Sequence, residues 1–205
     1  MKKITATVLS YLFHPVWLVP LMAAYLIYAS PGLYLGVSPR DKMFRLITVI
    51  VNSVFFPLLS VLLARALGFV KSIRMKEPTD RIIPYIATLT WYFWDWMAMR
   101  NLPDTPAPMT AMLFGVFLSA SAGLVLNSFL KISMHTIGVG GLVAFMLILG
   151  FQGAPDTALP LALSILVAGL VWSARLEVSD HTNQELVLGF IVGGVCQAAG
   201  TLFFH

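Results

Sequence analysis

Long apolar stretches broken only by short polar segments dominate this chain and leave little freedom in how it folds. They fall at roughly 8–29, 44–69, 82–99, 109–129, 137–152, 157–173 and 186–204, most of them near the ~20 residues a helix needs to cross a bilayer. Inside lipid the backbone must satisfy its own hydrogen bonds, which leaves helices or a closed barrel. The alternating in–out pattern of a membrane barrel is absent. The expected fold is therefore all-α: a polytopic transmembrane helical bundle of six to seven spans, with residues 1–205 forming one domain. Composition agrees, because only 11% of the 205 residues are charged where soluble domains carry about 25%.

The breaks are built from turn formers. Ser30-Pro31-Gly32 with Arg40, Asp41 and Lys42 separates the first two stretches, four residues among 103–108 (three prolines and Asp104) separate the third and fourth, and Gly153-Ala154-Pro155-Asp156 separates the fifth and sixth. The first apolar stretch resembles a secretory leader, but its length and its Pro15 and Pro20 favour a span. Glycines in 137–152, and Gly189, Gly193, Gly194 and Gly200 with Ala198 in the last stretch, predict helices inside the bundle at close approach. The single cysteine, Cys196, excludes an intrachain disulfide. The net charge of +4 comes without a polybasic run, so nucleic acid is not an expected partner, whereas membrane lipids are. Lys2, Lys3, Lys42 and Arg45 read as interface anchors or topology signals.

Counting spans from the amino terminus returns the chain to its starting side at 70–81, 130–136 and 174–185. These segments hold most of the unusual polar residues: Arg74, Lys76 and Arg81; Lys131, Ser133 and His135; Arg175, Glu177, Asp180, His181 and Glu185. If 181–185 is helical, His181 and Glu185 lie one turn apart on one face. A carboxylate there fixes the imidazole tautomer and leaves the second nitrogen as a nucleophile. Arginines offer planar forks to phosphate. Ser133 and the amides of the following helix are natural donors to an oxyanion, and His135 suits a proton donor to a leaving oxygen. Together the groups read as metal-independent phosphoryl transfer through a phosphohistidine. Glu177 and Asp180 read as acids at a helix start rather than catalysts.

At these residues the chain resembles the type 2 phosphatidic acid phosphatase superfamily of membrane lipid phosphatases. That family has three motifs: Lys, six residues, Arg-Pro; then Pro-Ser-Gly-His; then Ser-Arg, five residues, His, three residues, Asp. The third appears as Arg175, His181 and Glu185, with Glu for Asp and with Ala174 before the arginine. The second appears as Ile132-Ser133-Met134-His135, so that Met134 stands where the family has glycine. The first appears as Arg74, six residues, Arg81, with Pro84 displaced. The resemblance covers about 70–190. It implies His181 as nucleophile, Glu185 as its orienting partner and His135 as general acid. It implies Arg74, Arg81, Ser133 and Arg175 as the phosphate cradle, with Lys76 and Lys131 beside it, no cofactor, and a lipid phosphate as substrate. It also implies a bacterial cytoplasmic membrane with the site facing away from the cytoplasm.

Other classes make different demands. A metal enzyme would use His135, His181 and Glu185 as ligands, but the surrounding arginines would repel a dication. A transporter would want polar groups at mid-membrane. A phosphatase-like protein that binds lipid phosphate without turnover is the remaining alternative. His14, before Pro15, reads as an interfacial histidine bonded to backbone, and the segment WYFWDWMAMR at Trp91–Arg100 reads as an interfacial aromatic belt.

Overall fold

The computed structural model describes residues 3–30, 32–69, 82–179 and 181–204. Among them it is a bundle of helices, with no strand. The helices are α1 (Lys3–Leu12), α2 (Pro15–Ala24), α3 (Pro39–Ile50), α4 (Phe56–Ala66), α5 (Ile82–Asn101), α6 (Ala107–Asn127), α7 (Met134–Phe151), α8 (Ala158–Val178) and α9 (Asn183–Phe203). One π-helical turn, Tyr25–Ala29, extends α2, and another, Val51–Phe55, joins α3 to α4. Among the described residues five helices, the joined α3–α4 counting as one, are long and apolar enough to cross a membrane, six if the bent α1–α2 pair counts as one. This is an integral membrane protein.

Three of the seven expected stretches take a different form. The first is not one rod. Pro15 has no N–H to give and its ring clashes with a preceding turn, so the chain breaks at His14 and bends by 48°. His14 itself is extended (φ −64°, ψ 137°) and its side chain caps α2. The second starts earlier than expected. Ser38 caps α3 and Pro39 takes its first position, the pairing that opens helices best, so Arg40, Asp41 and Lys42 lie in the first helical turn. The third, α5, is 20 residues long but is not among the candidate spans, and Asp95, Arg100 and Asn101 lower its hydropathy. The aromatic segment on α5 is not a simple interfacial belt either. Trp94 is exposed, but Trp96 is buried and Asp95 is fully buried. Arg100 stacks over the rings of Trp96 and Phe204. Trp91 stacks on Phe56 at 4.1 Å and donates to the Ser60 hydroxyl at 2.9 Å, which fastens α5 to α4. Arg45 is not an anchor at the interface. It is buried, donates through Nη1 to Thr105 Oγ1 at 2.6 Å and through Nη2 to the Pro103 carbonyl, and so ties α3 to the α5–α6 turn.

The core of the bundle is the expected glycine seam. Among the described residues helix α7 is the most enclosed span, with more than half of it buried. It runs parallel to α9, and the two backbones approach so closely that a side chain cannot enter. A Cβ at Gly193 would collide with the Ile137 carbonyl, one at Gly140 with the Phe190 carbonyl, and one at Gly189 with Thr136 Oγ1. On the other flank α9 runs antiparallel to α6, where a Cβ at Gly200 would come within 2.6 Å of the Ala111 carbonyl. Helices in lipid gain little from burying apolar surface, so such close packing is what holds them.

The seam makes a stability prediction. Gly193→Ala should destabilise the bundle by about 1–3 kcal/mol, because the overlap is with backbone and cannot be relieved by a rotamer change. Gly194→Ala should be neutral or stabilising by up to about 1 kcal/mol, since its Cβ would meet the Ala144 methyl at 3.7 Å. Thermal unfolding of both variants in one detergent checks the contrast; equal melting temperatures would remove the seam from the account of stability.

Candidate functional site

The α7–α9 seam sets two helix starts side by side. At the start of α7, Ser133 is the N-cap, and its hydroxyl accepts from the Thr136 N–H at 3.5 Å. The helix begins at Met134 rather than near 137, so His135 lies in its first turn instead of in a preceding loop. Ser133 is buried. Its cap uses a lone pair, so the hydroxyl proton remains available for donation.

At the start of α9, Thr182 is the N-cap of a complete capping box. Glu185 N–H donates to Thr182 Oγ1 at 3.3 Å, and Thr182 N–H donates to Glu185 Oε2 at 2.8 Å. The same oxygen lies 3.4 Å from His181 Nδ1. The pairing read from the sequence is present, but for another reason. His181 precedes the cap, so it is not one helical turn from Glu185; the capping box turns the carboxylate back towards it. The His181 side chain is only 4% exposed. With Nδ1 engaged by Glu185, Nε2 is the nitrogen directed elsewhere.

Arg175 stands in the last turn of α8. Its carbonyl accepts from both the Ser179 amide and hydroxyl, which ends the helix and leads into the turn that carries His181. Its guanidinium acts electrostatically on His135 and on His14, and His135 is in turn coupled to His181. Helices α7, α8 and α9 thus bring His135, Arg175, His181 and Glu185 to one end of the bundle, with Ser133 at the foot of α7. Lys131 is half-buried in the turn between α6 and α7, two residues ahead of the Ser133 cap. Arg74, Lys76 and Arg81 lie outside the described residues, as does Asp180.

The fifth member of the cluster is His14. Its ring packs edge-on against His135, with centroids 5.0 Å apart and planes at 84°. Its Nδ1 accepts from the Val16 N–H at 3.3 Å, so a neutral His14 carries its proton on Nε2. The expected backbone bond is there, but the residue also faces the other histidines. Its signal in the sequence was an ionisable residue within an apolar span, directly before a proline that breaks the helix. His135 Nε2 lies 3.0 Å from the Ser10 carbonyl. A carbonyl only accepts, so Nε2 is the protonated nitrogen and Nδ1 the one that exchanges a proton. Ser10 belongs to α1, which packs along α8 and closes the cluster from that side.

Chemically this is an imidazole oriented by a carboxylate, a second imidazole oriented by a carbonyl, a third that ends a helix break, and a guanidinium. Such a set can carry a nucleophile, move protons and hold an anion. Among the described residues no group of three His, Cys, Asp or Glu side chains comes together to hold a metal ion, so the three-ligand arrangement considered for His135, His181 and Glu185 is not assembled. No family model matches the chain, and no curated protein or solved structure matches it.

The capping role of His14 can be separated from any chemistry. His14→Ala should cost about 1 kcal/mol by removing the cap of α2, whereas His14→Asn, itself a strong N-cap, should keep most of it. Thermal unfolding of the two variants checks this; a loss as large in Asn as in Ala would mean that the ring packing, not the cap, holds the break.

Proposed function

We propose that this protein is a membrane lipid-phosphate phosphatase that works through a phosphohistidine, as the resemblance to the type 2 phosphatidic acid phosphatases implies. The observation that supports it most is the convergence of His135, Arg175, His181 and Glu185 from three helices at one end of the bundle. In this reading His181 Nε2 attacks phosphorus, held in position by the Glu185 carboxylate at Nδ1. The bond from phosphorus to the lipid oxygen breaks, and that oxygen takes a proton from His135 Nδ1. A water then gives its proton back to His135, attacks the phosphohistidine and releases phosphate. His135 can donate only when both its nitrogens are protonated, because Nε2–H stays with the Ser10 carbonyl.

Arg175 supplies charge to the phosphate, with Ser133 as a further donor; the resemblance adds Arg74 and Arg81 to that role, with Lys76 and Lys131 as further candidates. The substrate is a lipid phosphomonoester or pyrophosphate, whose apolar part stays in the membrane. The site belongs on the outer side of a bacterial cytoplasmic membrane. His14 acts as a positioning residue that holds His135 against its own ring.

The test is phosphate release from lipid phosphates by the purified protein in chelator. His181→Ala should abolish it, Glu185→Gln should lower kcat by about 10²-fold or more, and His135→Ala by about 10²–10⁴-fold, the usual worth of a positioned acid–base group. His14→Asn should lower kcat and shift the pH profile of the rate while the protein stays folded. Undiminished release from His181→Ala would overturn the proposal.

A further inference from the structure

Beneath the histidines lies a cavity of about 250 Å³. His14 and Met134 border it at the polar end, so it is continuous with the candidate site through His14. Its lining along α7 runs from Met134 to Leu142, a depth of about 12 Å at the helical rise. The walls are almost wholly apolar. Leu58, 44% exposed, belongs to one wall and places it at the outer surface of the bundle. Gln197 stands at the far end. It is 1% exposed, and its Nε2 has no hydrogen-bond partner among the described residues.

The geometry points to this cavity as the seat of a single hydrocarbon chain, that of the same lipid whose phosphate sits at the histidine cluster. The inference rests on the phosphate reading above and adds what lies on the other side of the scissile bond. An apolar cavity of about 150 Å³ holds one benzene, so this one takes about ten carbon atoms of one chain. A chain that reached Gln197 would seal a buried amide away from any partner, which costs free energy. The chain therefore stops short of it, and any excess length leaves past Leu58 into the bilayer. Two chains do not fit side by side. Met134, where the resembling family has glycine, is here part of the chain seat rather than a group beside phosphate.

Photolabelling tests this without turnover. The probe is a single-chain alkyl phosphate of ten carbons with a diazirine at its eighth carbon, applied to the protein in lipid nanodiscs, with cross-links located by mass spectrometry. Cross-links should fall on inward residues such as Ala120 and Leu142, and unlabelled decyl phosphate should compete. Ala120→Phe, which fills the cavity, should lower that labelling roughly tenfold. Cross-links confined to outward residues such as Leu62 and Leu166 in the wild type would overturn the inference, whatever the behaviour of the variant. The alcohol of the same chain, with the same diazirine, separates the two readings. If it labels the cavity as well as the phosphate does, the chain seat stands and the phosphate site fails. If phosphate is released while no inward residue is labelled, the enzyme stands and the chain seat fails.

Discussion

Everything at the candidate site depends on how closely α7 and α9 approach. The two helices run in the same direction, and glycines at 140, 189 and 193 let backbone lie on backbone. Both helices therefore begin at the same level, and their N-terminal ends are brought together: Ser133 and His135 from one, His181 and Glu185 from the other. A wider spacing would leave the histidines on separate helix ends facing lipid headgroups. In lipid, where apolar burial gives helices little reason to associate, a seam of small residues is the means by which a sequence can specify this juxtaposition.

The break at His14–Pro15 is the second constraint. A straight first span would carry its backbone past the site with every donor and acceptor used. Bending by 48° ends α1 and opens α2, and each half then serves the site. The Ser10 carbonyl on α1 accepts the hydrogen bond of His135 Nε2–H. The new helix start on α2 is capped by His14, whose ring meets His135. The proline thus converts an apolar span into two pieces with polar ends, and those ends are where imidazoles can be oriented without being left unpaired in hydrocarbon.

Much of this was legible before the structure, because bilayer physics leaves few choices. Apolar stretches marked the helices, glycines marked the pair α7 and α9 that pack backbone on backbone, and span parity gathered 130–136 and 174–185 on one side, the third polar segment, 70–81, lying outside the described residues. Tertiary and capping details were not legible. A hydrophobic stretch does not say whether Pro15 kinks a helix or ends it, and hydropathy alone could not tell that α5 would bury Asp95 and Trp96 instead of presenting an aromatic belt. The spacing of His181 and Glu185 suggested a helical face, whereas Thr182 stops the helix between them and produces the same pairing through its cap. Arg45 looked like an anchor because a membrane-edge cation usually is one; its partners, Thr105 and Pro103, lie sixty residues away in sequence and left no local sign.

The charge arrangement argues for the sign of what the cluster receives. Three helices, α2, α7 and α9, begin there, and each directs the positive end of its dipole towards the same region. Arg175 adds a full positive charge that is sensed by two of the imidazoles. Among the described residues the carboxylate set against these is Glu185, whose charge is shared between the Thr182 amide and His181. In a setting of low dielectric such an excess is not screened as it would be in water. A cation would meet this field unfavourably. An anion with several acceptor oxygens would complete it, and a phosphate attached to a hydrocarbon chain would do so at the one place where the polar cluster and the apolar cavity share a residue, His14.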